Sequence, residues 1–126
     1  MTVTSLVNDV DVAVVGLGPA GASAAAIAAQ AGLDVIAFDR KKIPGQPVQC
    51  AEFVPAMLGQ EIHGIGAVSR QLVHRMRSFV EQQQPDETID FRGHMIDRDR
   101  FDAQFIAEAG AMGANCEMGV GLATIT

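Results

Sequence analysis

The chain has 126 residues, room for one ordinary domain at most, since single domains cluster near ~100–150 residues. Apolar residues make up 48% and charged residues 19%, which excludes disorder, and a net charge of −6 excludes the basic footprint of a nucleic-acid binder. Two cysteines, Cys50 and Cys116, are too few for a disulfide framework or a four-ligand zinc site, and His63, His74 and His94 lack metal-ligand spacing, so no metal is expected.

The opening residues carry no positive region before their apolar stretch, and Asp9 and Asp11 stand where a signal peptide would be apolar. The apolar region from Val10 to Phe38 is broken by glycines, Pro19, Gln30 and Asp34, unlike a membrane span of about 20 unbroken apolar residues. A cytoplasmic, reducing setting is the expectation. Asp9–Val15, rich in valine and ending at glycine, predicts a strand buried on both faces of a parallel sheet. The run Gly16-Leu17-Gly18-Pro19-Ala20-Gly21 reads as a tight turn. Ala22–Ala31 is built of strong helix formers, with Gly32 at the position past the helix end that favours positive φ. Leu33–Phe38 predicts a second buried strand, which completes a βαβ unit over residues 1–39.

Residues 40–51 hold two prolines, a glycine and three adjacent cations, which excludes regular structure there. Residues 53–62 predict a short helix around Met57 and Leu58, so that loop and helix together fill residues 40–71. An antiparallel hairpin follows over 72–94, with Pro85 and Asp86 in its turn. Asp97 is placed to cap a helix from Arg98 to Met112, whose Phe101, Phe105, Ala109 and Met112 recur on one face. Gly113 ends it, Asn115–Met118 predicts a third parallel strand, and residues 120–125 a further one, within a final segment 95–126.

Gly16, Gly18 and Gly21 match the G-x-G-x-x-G dinucleotide fingerprint, and each glycine has its own task. Gly16 allows the sharp exit from the strand. Gly18, without a Cβ, lets the backbone meet a pyrophosphate. Gly21 lets the helix lie close on the strand. Pro19 has no N–H to waste at a helix start, and the N–H groups from Ala20 onward offer donors and a positive dipole end to phosphate. Asp39, at the end of the second strand, is placed to accept hydrogen bonds from ribose hydroxyls; as an anion it would repel a 2′-phosphate, favouring FAD or NAD over NADP. The rival reading makes Asp39 a surface partner of Arg40. Arg40, Lys41 and Lys42 either flank the adenosine end of the nucleotide or form a solvated loop cluster. The fold class expected is α/β: an incomplete Rossmann-like FAD/NAD(P)-binding domain with a parallel sheet and an inserted antiparallel hairpin.

The stretch from Asp11 to Arg40 resembles the N-terminus of flavoproteins with two dinucleotide-binding domains. The stretch MIDRDRFDAQFIAEAGAMGANCEMG, residues 95–119, is similar to a segment of the geranylgeranyl reductase family, which shares its fold group with aromatic-ring hydroxylases of the p-hydroxybenzoate hydroxylase type. Gln49-Cys50-Ala51-Glu52 resembles the Cys-Gly/Ala-Glu loop of the archaeal-type enzymes, although Phe53 stands where the family usually continues with glycine. The resemblance implies an FAD-dependent oxidoreductase in which reduced flavin passes hydride to an alkene of a hydrophobic, prenyl-type substrate, with NAD(P)H as an external electron donor. It implies that this chain is the N-terminal part of the FAD domain, without the substrate domain, so that any membrane contact would come from the rest of the enzyme.

The resemblance places Cys50 and Ala51 at the flavin, Cys50 as a redox or substrate-positioning residue, and Arg98 against the ribose or phosphates of FAD. Glu52 reads equally as a flavin-loop carboxylate or a solvated acid, and Cys116 as a packing residue of the third strand. Two alternatives stand beside the reductase: an FAD-dependent aromatic-ring monooxygenase, and a nucleotide-binding module without catalysis of its own.

Overall fold

The computed structural model describes residues 9–124. The chain forms β1 (Val12–Val15), α1 (Pro19–Gln30), β2 (Val35–Asp39), β3 (Phe53–Pro55), α2 (Ala56–Gly59), α3 (Ile65–Val68), β4 (Ser69–Ser78), β5 (Asp86–Ile96), α4 (Arg98–Ala111) and β6 (Asn115–Met118). These fall into two compact units. One comprises the chain up to Gln46 together with the chain from Asp102 onward, and the other comprises Pro47–Phe101.

The first unit is a parallel sheet in the order β1-β2-β6. Val12 pairs with Val35 and Val15 with Phe38 on one side of β2, while Ile36 pairs with Asn115 and Asp39 with Met118 on the other. Val35, Ile36, Ala37 and Phe38 are all buried, as the middle strand of a parallel sheet must be when both faces are covered. The core joins Leu17, Val35 and Ala37 to Ala22, Ala25 and Ala26 of α1 and to Ala109 of α4. Alanine dominates because small side chains let helix backbones lie close against a sheet. Phe105 and Ile106 complete the packing from α4.

β1 is shorter than the expected Asp9–Val15. Asp11 instead ties the strand entry to β2, its carboxylate accepting from the Asp34 N–H at 2.8 Å. α1 begins at Pro19, not Ala22, because proline at the first helical position already has the helical φ and needs no N–H partner. Gly21 therefore lies inside the first turn. Residues 120–124 form no strand, and residue 125 lies outside the described residues.

The second unit is an antiparallel sheet in the order β3-β5-β4. The hairpin expected over 72–94 extends to Ser69–Ser78 and Asp86–Ile96. It also gains a third strand. Phe53–Pro55, expected within a helix over 53–62, pairs with Met95 to Gly93, and the helix shrinks to Ala56–Gly59. The reason is tertiary. The Phe53 ring occupies the space that a side chain at position 93 would fill, stacks on Phe91 with centroids 5.1 Å apart, and Val54 is buried beside it. A glycine in β5 thus creates the seat that makes a strand of 53–55. The one-turn helix α3 was not anticipated in the loop region. Among the described residues, no helix is long and apolar enough to cross a membrane.

Candidate functional site

Gly16 turns the chain out of β1 with φ +102°, and its N–H donates to Phe38 O at 2.8 Å. A non-glycine residue would be strained at that φ. Leu17 is buried at 2% and anchors the turn in the core. Gly18 is the N-cap of α1 in an extended conformation, without a side-chain cap, and the first turn carries no acidic residue. Its carbonyl accepts the first helical bond, from Ala22 N–H at 2.9 Å. Nothing lies within 4 Å of the place where a Gly18 Cβ would stand. Ala20 is exposed, and Gly18 and Pro19 are half-buried. A helix start with uncapped N–H donors, no competing carboxylate and open space over an N-cap glycine fits an anionic pyrophosphate.

Asp39, at the end of β2, is fixed by two backbone donors. Leu17 N–H donates to Oδ2 and Lys41 N–H to Oδ1, each at 2.9 Å. Its carbonyl accepts from Val120 N–H at 2.9 Å, and the Lys41 carbonyl from Gly119 N–H at 2.8 Å. The carboxylate therefore braces the glycine turn against β2, a role not visible from the sequence. Among the described residues it forms no ion pair with Arg40, so the surface-pair reading of Asp39 is not what the structure shows. A carboxylate has about four acceptor sites, so two bonds from the backbone leave capacity for ribose hydroxyls. Arg40 and Lys42 are exposed on the loop that follows, with Lys41 half-buried between them.

Asp39→Ala removes both backbone contacts together with any bond to ribose. Each charge-assisted bond contributes about 1.5–3 kcal/mol, and water satisfies part of what is lost. We expect FAD affinity in the full-length protein to fall by roughly 30-fold, equivalent to about 2 kcal/mol, with a lowered melting temperature. Titration of the apo-protein checks this, and an affinity within twofold of wild type would contradict it.

A second cluster lies within the other unit. Arg98 Nη1 donates to Cys50 Sγ at 3.0 Å, and Glu52 N–H donates to the same sulfur at 3.2 Å. The Arg98 backbone N–H in turn donates to Glu52 Oε1 at 3.3 Å. Glu52 is therefore not merely a solvated acid: it has φ 56° and its carbonyl accepts from Ile96 N–H at 2.8 Å, which ties the loop to β5. Cys50 and Ala51 are exposed. Cys50 and Arg98 are separated by 48 positions, so no local pattern announces their contact.

Cys116 and His94 lie within the two sheets. Cys116 lies in β6 opposite Ala37, and burial pushes its thiol up from the ordinary cysteine range, which leaves it a poor nucleophile. His94 Nδ1 meets Ser69 Oγ at 3.1 Å within the antiparallel sheet. Among the described residues, no group of three or more His, Cys, Asp or Glu side chains could hold a metal ion.

Residues 11–115 match the family model for FAD dependent oxidoreductases. The chain belongs to this family. It is 35% identical over 112 residues to digeranylgeranylglycerophospholipid reductase 1 of Methanopyrus kandleri, covering 86% of this chain and 29% of that protein. To reductase 2 of the same organism it is 37% identical over 116 residues, covering 86% and 28%. It is also 37% identical over 113 residues to an uncharacterized protein in the nifH2 5′ region of Methanosarcina barkeri, covering 80% of this chain and 60% of that one. The chain thus spans less than a third of the two reductases' length.

A geranylgeranyl bacteriochlorophyll reductase-like structure from Thermoplasma acidophilum superposes with a TM-score of 0.77 at 28% identity, over 87% of this chain and 30% of that chain. The FAD complex of a mutant halogenase PltM shares the fold, with a TM-score of 0.66 at 20% identity. As a member of the FAD dependent oxidoreductase family, the chain carries the Rossmann-like α/β fold expected from its glycine turn.

Proposed function

We propose that this chain supplies the ADP-binding part of an FAD-dependent reductase that saturates alkenes of a hydrophobic, prenyl-type substrate, with NAD(P)H as external electron donor and a cytoplasmic location. The observation that carries the FAD part is the Gly16–Gly21 turn, open above Gly18 and braced by Asp39. FAD, when bound, supplies hydride transfer to the alkene. The protein's task is binding, orientation and electrostatics.

In this reading the backbone at Gly18, Ala20 and Gly21 takes the pyrophosphate, with Gly16 and Pro19 shaping the turn. Asp39 accepts from the adenosine ribose, and Arg40 and Lys41 flank the adenosine end. Cys50 and Ala51 serve the flavin side. Arg98 serves the ribose or phosphate side, a role suited to a guanidinium, whose fork of N–H donors matches phosphate oxygens. The alkene assignment is supported by the names of the related reductases and by the Cys50-Ala51-Glu52 loop.

The test uses full-length protein with its flavin reduced under anaerobic conditions. Added digeranylgeranyl phospholipid should reoxidise the flavin and gain two hydrogens at each double bond reduced, read by mass spectrometry. Oxygen incorporation into an aromatic compound, with the lipid unchanged, would overturn the reductase reading in favour of a monooxygenase. Cys50→Ser should keep its flavin and melting temperature while changing rate or product pattern. If rate and products both match wild type, Cys50 has no role in turnover.

A further inference from the structure

The segment that leaves β6 returns to the residue that the proposed reading sets against ribose. β6 ends at Met118, whose register partner is Asp39. The next two N–H groups both point back at the turn after β2. Gly119 N–H donates to Lys41 O at 2.8 Å, and Val120 N–H donates to Asp39 O at 2.9 Å. A parallel ladder advances along both strands together. Here the donor moves one residue forward while the acceptor moves two back, so the chain has left the ladder and wraps over the end of β2. Gly119 has φ +79°, which swings the following peptide, and with it the Val120 N–H, back toward Asp39.

Lys41 is held at both of its backbone groups. Its carbonyl takes the Gly119 N–H, and its own N–H donates to Asp39 Oδ1 at 2.9 Å. The other carboxylate oxygen takes the Leu17 N–H, also at 2.9 Å. A chain of bonds therefore runs from the β6 exit through Lys41 to the carboxylate, and on to the glycine turn. The acceptor sites that Asp39 keeps for a ligand depend on where those two donors hold it.

We infer that Gly119 is a positioning residue for Asp39: the β6 exit sets the orientation of the carboxylate, and with it the preference for a ribose that keeps its hydroxyls. That preference rests on the nucleotide reading proposed above. The link from Gly119 to the carboxylate does not, so the two can fail separately.

The experiment compares full-length wild type with Gly119→Ala and Gly119→Asn. A Cβ at Gly119 meets only Lys42 Cγ, at 3.6 Å, an ordinary contact, so alanine disturbs the backbone angle and not the packing. Asparagine visits positive φ more readily. The first readout is amide hydrogen exchange in the apo-protein, resolved to single amides by mass spectrometry. In Gly119→Ala, exchange should rise at Lys41 and also at Leu17, whose N–H bonds the carboxylate and not the β6 exit, while Val35–Phe38 stays protected. The second readout is calorimetric titration with ADP and with 2′-deoxy-ADP. Gly119→Ala should bind ADP about fivefold more weakly and 2′-deoxy-ADP almost as wild type does, with Gly119→Asn in between. A purely structural role for Gly119 predicts equal weakening of both nucleotides. A wild type without preference for ADP would sink the ribose reading, and exchange at Leu17 would still decide the link. Wild-type exchange at Leu17 in folded Gly119→Ala, or an undiminished preference for ADP, would overturn the inference. If Gly119→Ala does not fold, both readouts pass to Gly119→Asn, where the same two results overturn it.

Discussion

Gly18→Val is expected to empty the full-length protein of FAD while leaving it folded. The backbone at Gly18 is extended, with φ −72° and ψ −179°, a conformation that valine adopts readily. A Cβ there meets nothing within 4 Å, so neither α1 nor β1 need move. In the proposed reading, what the side chain fills is the space a pyrophosphate needs to reach the uncapped helix start. Close backbone approach is the reason glycine stands at this place in the fingerprint. We expect at least a 100-fold loss of affinity, about 2.7 kcal/mol, and colourless protein after purification. A folded Gly18→Val protein with normal flavin absorbance would sink the phosphate assignment.

Gly21→Ala should fail for a different reason. A Cβ at Gly21 overlaps the Gly16 carbonyl oxygen and stands 3.0 Å from its carbon and 3.4 Å from Val14 Cγ1. The obstacle is backbone, which cannot rotate away as a flexible side chain does. Either α1 lifts from β1 or the turn at Gly16 opens. Overpacking a tight contact costs about 1–3 kcal/mol. Lifting α1 also disturbs Ala22, Ala25 and Ala26 in the core. The expected result is a melting temperature lowered by several degrees together with loss of FAD, whereas Gly18→Val loses FAD alone. Circular dichroism melts with flavin absorbance separate the two. An unchanged melting temperature for Gly21→Ala would contradict the close packing of α1 on β1.

The parallel half of the molecule was legible because its signals are local. A valine-rich run, a glycine turn, an alanine-rich helix and a second apolar run each specify their own element, and together they leave one topology. α4 was legible for the same reason, since Phe101, Phe105 and Ala109 mark its buried face. β3 was not, because three residues cannot show a period. Its strand character depends on Phe53 finding a seat over Gly93, 40 positions along the chain. The site divides in the same way. Gly16, Gly18, Gly21 and Asp39 stand out by spacing, but the brace from Asp39 to Leu17 N–H and Lys41 N–H is a matter of geometry. So is the bond from Arg98 to Cys50, between residues that the sequence had marked out for separate reasons.

That the glycine turn and Asp39 bind the ADP half of FAD is tested most directly by titrating full-length apo-protein with FAD, followed by flavin fluorescence, in wild type and Gly18→Val side by side. Saturable uptake by wild type, with affinity at least 100-fold weaker in the folded variant, is the expected result. Failure of the wild-type protein to take up FAD, or equal uptake by both proteins, would contradict it.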